Sequence, residues 1–120
     1  MKHTHTETDL LIEKQYPKLV RDRIPEMIER DGKTAIYHRE EDNAKYLGYL
    51  FTKLLEEATE LTEAATHDHR MEEIADVKEV LISLQEALGV SEADVEAVRK
   101  SKSEERGGFS GRLIVDELPQ

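Results

Sequence analysis

One stretch constrains this chain more than any other. Leu54-Leu55-Glu56-Glu57-Ala58-Thr59-Glu60 is followed, after a short interval, by Glu73-Ile74-Ala75-Asp76, and both lie in strongly helical sequence. Glu57 and Glu60 are three residues apart, as are Glu73 and Asp76, and residues at that spacing are neighbours on one helix face. Thr66-His67-Asp68 lies midway and reads as a break. Two antiparallel helices joined there pair residues whose numbers share a constant sum. Glu57 then falls level with Asp76, and Glu60 with Glu73. Four carboxylates in one layer repel unless a cation sits between them. Oxygen ligands with positions left for water or phosphate are what hard cations such as Mg²⁺ or Mn²⁺ require.

The competing reading is a solvated charged face. Charged residues make up 37% of the chain, and at that density acid pairs at helical spacing arise by chance. A helical wheel at roughly 100° per residue weighs against it. Leu47, Leu54, Ala58, Leu61 and Ala65 form the apolar stripe of the first helix, with Glu57 at its margin and Glu60 one step further round. Ile74, Val77, Leu81, Leu84 and Leu88 form that of the second, with Glu73 inside the stripe and Asp76 near its edge. An unpaired carboxylate turned towards a core is costly. The same wheel points Glu63 and Glu86 to solvent. Pattern alone leaves both readings standing.

At 120 residues the chain is most simply one domain, residues 16–120, behind a flexible polar tail at 1–15 that carries His3 and His5. A two-layer helical subunit of this size needs a partner to cover its second face. The net charge of −10 argues against a nucleic-acid polymer as partner. Small anionic ligands stay open, because a metal and a few cations invert the sign locally. There is no cysteine, hence no disulfide and no thiolate chemistry, which fits a cytoplasmic home. No apolar run approaches the roughly 20 residues of a membrane span. The N-terminus lacks the apolar segment of a signal peptide.

The rest of the chain supplies boundaries and cations. Asp22 and Pro25 suit the start of a short helix ended by Asp31-Gly32, with Ile24, Met27 and Ile28 on one side. Lys18, Arg21 and Arg23 lie beside that helix start and form a candidate anion contact, against the plainer reading of a solvated basic cluster. Thr34-Ala35-Ile36-Tyr37-His38 reads as a short strand or extended connector. Asp42 or Asn43 starts the long helix, which runs to about Ala65. Asp68 is a candidate cap for the next, which stops at Gly89. Ser91 caps a further helix, whose Val95 and Val98 are expected to face inward. Arg106-Gly107-Gly108-Phe109 breaks it. Leu113-Ile114-Val115 reads as a short strand or an extended arm packed on the bundle. Lys100, Lys102 and Arg106 precede the double glycine, where a backbone can approach a phosphate closely. The chain has no Walker-type loop, no Gly-x-Gly-x-x-Gly, and no serine or cysteine triad.

Glu56-Glu57-x-x-Glu60 with Glu73-x-x-Asp76 resembles the signature of the MazG-like all-α nucleoside triphosphate pyrophosphohydrolases. That superfamily also holds phosphoribosyl-ATP pyrophosphohydrolase and the dimeric dUTPases. The flanks Lys18-Leu-Val-Arg-Asp-Arg-Ile-Pro25 and Glu105-Arg-Gly-Gly-Phe109 resemble a compact, predicted house-cleaning subgroup. The resemblance covers roughly residues 16–117. It implies an all-α antiparallel helical bundle, to which the reading of Leu113-Ile114-Val115 adds a short extended C-terminal arm. It further implies Glu57, Glu60, Glu73 and Asp76 as Mg²⁺ ligands, with Mn²⁺ an alternative. Glu56 matches the position that orients or deprotonates the attacking water in some relatives, and the wheel sets it beside the site. A homo-oligomer, dimer or tetramer, is implied as well. The extra N-terminal segment and the Arg-Gly-Gly-Phe ending depart from classical phosphoribosyl-ATP pyrophosphohydrolase.

The implied chemistry is attack of water on the α-phosphorus of a nucleotide substrate, with pyrophosphate leaving. Lys18, Arg21, Lys102 and Arg106 are the candidate substrate-binding cations for the outer phosphates. Tyr37, Tyr46, Tyr49, Phe51 and Phe109 are candidates for base stacking. The alternatives are a phosphoribosyl-ATP pyrophosphohydrolase-type enzyme, a hydrolase of a nucleotide-like compound that is not a triphosphate, and a non-catalytic helical oligomerisation or regulatory protein that binds a structural ion.

Overall fold

The computed structural model describes residues 16–119. The expectations for residues 1–15, His3 and His5 included, lie outside the described residues. Among the described residues four helices follow in chain order: α1 (Ile24–Arg30), α2 (Asn43–Glu63), α3 (His67–Leu88) and α4 (Glu92–Arg106). No strand occurs among the described residues, so the fold class is all-α. None of these helices is long and apolar enough to cross a membrane.

The long helices begin and end where local chemistry satisfies their free backbone groups. Asp42 caps α2, its carboxylate accepting from the Lys45 N–H at 3.0 Å. Thr66 caps α3, its hydroxyl accepting from the His69 N–H at 3.1 Å. The break therefore falls at residues 64–66, slightly before the expected Thr66-His67-Asp68. Asp68 is not the cap; it sits in the first turn, where a negative charge complements the helix dipole. Arg70 Nε donates to the Ala64 carbonyl at 3.1 Å and closes the hairpin. Gly89 ends α3 at φ 70°, and the Val90 N–H returns to the Gln85 carbonyl at 3.0 Å. That left-handed position favours glycine. Ser91 caps α4 as expected, accepting from the Asp94 N–H at 3.0 Å. At α1 the expectation fails: Arg23 holds the N-cap position with no side-chain cap, and Asp22 does not serve.

α2 and α3 pack along one another as an antiparallel hairpin. Its apolar layer is Leu50 against Val80 and Leu84, with Leu19, Tyr46, Leu47 and Leu54 packed around them. Burying each such side chain contributes about 1.5–3 kcal/mol. The inward faces overlap the apolar stripes drawn on the wheel without being centred on them: Leu47 and Leu54 of the first stripe and Leu84 of the second join the apolar layer. α2 buries Leu50, Glu57 and Glu60, and α3 buries Glu73, Asp76, Val80 and Leu84. Ile74, Leu81 and Leu88 are exposed, as are Ala58 and Ala65. The physical reason is that α3 is apolar on two sides and a single hairpin covers one. Glu63 and Glu86 are exposed, as the wheel places them.

The outlying segments stay open. α4 does not pack along the hairpin, and Val95 and Val98 are exposed rather than inward. Its start is tied to the end of α3 by Gln85 Nε2 donating to Glu92 Oε2 at 3.0 Å. Residues 34–38 form a connector, not a strand, with Ile36 exposed. The C-terminal arm is likewise no strand, and Leu113, Ile114 and Val115 are exposed rather than packed on the bundle.

Candidate metal centre

The hairpin builds its acidic layer between the apolar layer and the turn. Glu57 and Glu60 come from α2 one turn apart, Glu73 and Asp76 from α3 one turn apart, and all four are buried, Glu73 completely at 0% exposure. One carboxylate oxygen each of Glu57, Glu60 and Glu73 lies within 4.8 Å of the other two. Oxygens opposite one another across a six-coordinate Mg²⁺ are roughly 4 Å apart, and across Ca²⁺ nearly 5 Å, so this spacing admits one hard cation. An all-carboxylate donor set suits Mg²⁺, Mn²⁺ or Ca²⁺ and disfavours metals that seek sulfur or imidazole. The donor set of Glu57, Glu60 and Glu73 therefore fits a single hard cation.

Asp76 stands apart from that group. Its Oδ1 accepts from Arg21 Nη2 at 2.8 Å, across 55 positions of sequence. The expected level quartet is thus a convergent triad with a fourth acid drawn towards a guanidinium. Arg21 reaches it because Leu19, two residues earlier, packs on the apolar layer and pins the segment across the hairpin.

Lys18 enters from the other side of the same anchor. Its side chain is only 4% exposed, and Nζ lies 3.7 Å from Glu56 Oε2. Lys53 Nζ, one turn before Glu56, donates to the same oxygen at 3.2 Å. Burial lowers the Lys18 pKa, and the charge of Lys53 adds to the lowering. Glu56, Glu60 and Glu57 oppose it, so the ammonium stands within the field of the acidic layer. Glu56 is beside the triad rather than in it, with Oε2 occupied by two lysines.

The second basic group is elsewhere. Lys102 and Arg106 lie on α4, exposed, and neither side chain makes an ion pair or hydrogen bond among the described residues. Of the aromatics, Tyr46 packs on the apolar layer and Tyr49 is half-buried, while Tyr37, Phe51 and Phe109 are exposed. A shallow cavity of about 300 Å³ is formed by the arm itself, between Gly108 and Ile114, and none of the acids lines it.

Two residues at the centre escape a reading of the sequence. His69 Nε2 stands 3.2 Å from Glu73 Oε1, and Lys53 holds Glu56. Both contacts use one-turn spacings visible in the sequence, His69 to Glu73 and Lys53 to Glu56. The signal was there, but such spacings are common in a chain this charged.

No family model, no curated protein and no solved structure matches this chain. Geometry alone defines the class: an all-α protein whose central hairpin buries three convergent carboxylates, with cations from a preceding segment laid beside them.

Proposed function

We propose that the protein is a divalent-cation-dependent nucleotide pyrophosphohydrolase, converting a nucleoside triphosphate to the monophosphate and pyrophosphate. The observation that carries this reading is the buried triad of Glu57, Glu60 and Glu73, with three oxygens within 4.8 Å. Its order along the chain, with Glu56 before it and Asp76 after it, is the pattern of the MazG-like hydrolases described above.

Glu57, Glu60 and Glu73 would hold the cation, with Asp76, one turn from Glu73, as the candidate fourth ligand. When bound, the cation offsets phosphate charge and acidifies a water. The chain's own residues do the rest. Glu56 keeps Oε2 on Lys18 and Lys53, leaving Oε1 to orient a water. Arg21, whose side chain is 61% exposed, is the candidate partner of an outer phosphate, and the largely buried side chains of Lys18 and Lys53 raise the local potential for an anion. Lys102 and Arg106 join only if α4 is brought to the centre, and a second copy of the chain is the simplest means. Exposed Phe51, Leu55, Ile74 and Leu81 give the hairpin an apolar surface for such a copy.

The test is a pyrophosphate-release screen over common, deoxy- and damaged nucleoside triphosphates, with and without Mg²⁺. Metal-dependent release from at least one substrate supports the reading. Cation uptake without turnover of any nucleotide would favour a structural ion in a regulatory module.

A further inference from the structure

Arg21 and Lys18 arrive at the acidic layer on one segment but are held differently. Lys18 is almost wholly buried, its ammonium set in place by Glu56, and Leu19 locks the backbone beside it into the apolar layer. The Arg21 side chain is 61% exposed, whereas the Asp76 carboxylate it contacts is 12% exposed. The guanidinium therefore reaches in from the surface on a long side chain whose backbone is fixed close by. Its motion needs no rearrangement of the hairpin. Asp76 lies one turn from Glu73 on the buried face of α3, yet it is the acid that stands outside the 4.8 Å triad.

We infer that Arg21 is a resident counter-ion that competes with the metal for Asp76. When a cation enters the triad, Asp76 turns to it and releases Arg21. The freed guanidinium then swings outward to the anionic ligand that arrives with the metal. This inference rests on the reading of the triad as a metal centre. Two opposed effects follow from it. Arg21 weakens binding of the bare ion, because the ion must displace a charge-assisted hydrogen bond of 2.8 Å. It strengthens binding of the metal-bound phosphate ligand, because a guanidinium matches phosphate oxygens in a forked geometry. A residue that merely held Asp76 in position would move both affinities the same way.

The experiment uses the full chain with Arg21→Ala, Arg21→Gln and Arg21→Lys, and reads binding by calorimetry. Mn²⁺ is titrated into metal-free protein at fixed ionic strength. A methylene-bridged nucleoside triphosphate analogue, which is not cleaved at the α-phosphorus, is then titrated in saturating Mg²⁺. The alanine and glutamine variants are expected to take up Mn²⁺ about three- to tenfold more tightly than wild type, the size of a partly exposed ion pair. They are expected to bind the analogue several-fold more weakly. The lysine variant should fall between them and wild type on both. Mn²⁺ affinity unchanged or reduced in the alanine and glutamine variants overturns the counter-ion role and leaves the metal centre standing. Wild-type protein that takes up no Mn²⁺ removes the metal centre and the counter-ion role together.

Discussion

His69 Nε2 lies 3.2 Å from Oε1 of Glu73, one helical turn further along α3, and joins the half-exposed start of that helix to its most deeply buried carboxylate. The contact gives Glu73 a polar neighbour in a layer otherwise crowded with acids. His69→Ala is expected to lower metal-free stability by about 0.5–1 kcal/mol, less than a buried hydrogen bond to a charged group contributes, because the ring is partly solvated. Saturating Mg²⁺ should restore most of the loss. Thermal unfolding with and without the ion reads this, and an unchanged metal-free melting temperature speaks against any role for the pair.

Lys18 yields a pH dependence whose sign can be worked out. Burial lowers its pKa in the folded protein below the ordinary 10.5, so the unfolded chain holds that proton more tightly. Between the lowered value and 10.5 the unfolded state binds more protons, and this group's contribution to stability rises with pH. Lys18→Met lacks that rise. Melting temperatures of both proteins from neutral pH to about pH 10 should show the wild type gaining on the variant as pH increases. A constant difference, or one that shrinks, contradicts the assignment.

The exposed apolar side chains predict association. Leu55 is 70% exposed and Phe51 48%, both on the helix that carries Glu57 and Glu60. Light scattering at micromolar concentration is expected to show a dimer or larger, and Leu55→Glu to shift the population towards monomer. A clean monomer with full activity would count against the second copy.

How far the sequence alone reaches can be judged from particular residues. The caps Asp42 and Ser91 and the stop at Gly89 are legible because each is set by a neighbour one turn away or less. Burial of Glu57, Glu60 and Glu73 was foreshadowed by their nearness to the apolar stripes. Which face of α3 turns inward was not, because Ile74, Leu81 and Leu88 make a stripe as apolar as the one that packs, and a single sequence does not say which stripe faces within the subunit. The Arg21–Asp76 and Lys18–Glu56 pairs were invisible for another reason. They depend on where Leu19 seats an irregular segment, and no periodicity encodes that. Val95 and Val98 misled because helical spacing marks an apolar side without saying whether anything covers it.

Lys102 and Arg106 test whether α4 takes part. Changing either to alanine should leave the melting temperature nearly unchanged, since both are exposed and make no side-chain ion pair among the described residues. If they hold phosphates in the assembled protein, the KM for the substrate rises several-fold. Unaltered kinetics in both variants would make them solvated surface.

The central claim is best tested by following the products in ¹⁸O-water by ³¹P NMR, for wild type and for Glu73→Gln. The substitution keeps the shape of the most buried ligand and removes its charge. Repulsion among close carboxylates is worth roughly a kcal/mol or more per pair, so metal-free stability should hold or rise while metal affinity and turnover fall together. The account predicts nucleoside monophosphate carrying the ¹⁸O label, unlabelled pyrophosphate, strict dependence on a divalent cation, and loss of turnover in Glu73→Gln. Orthophosphate with a nucleoside diphosphate, full activity in EDTA, or an unimpaired Glu73→Gln enzyme would contradict it.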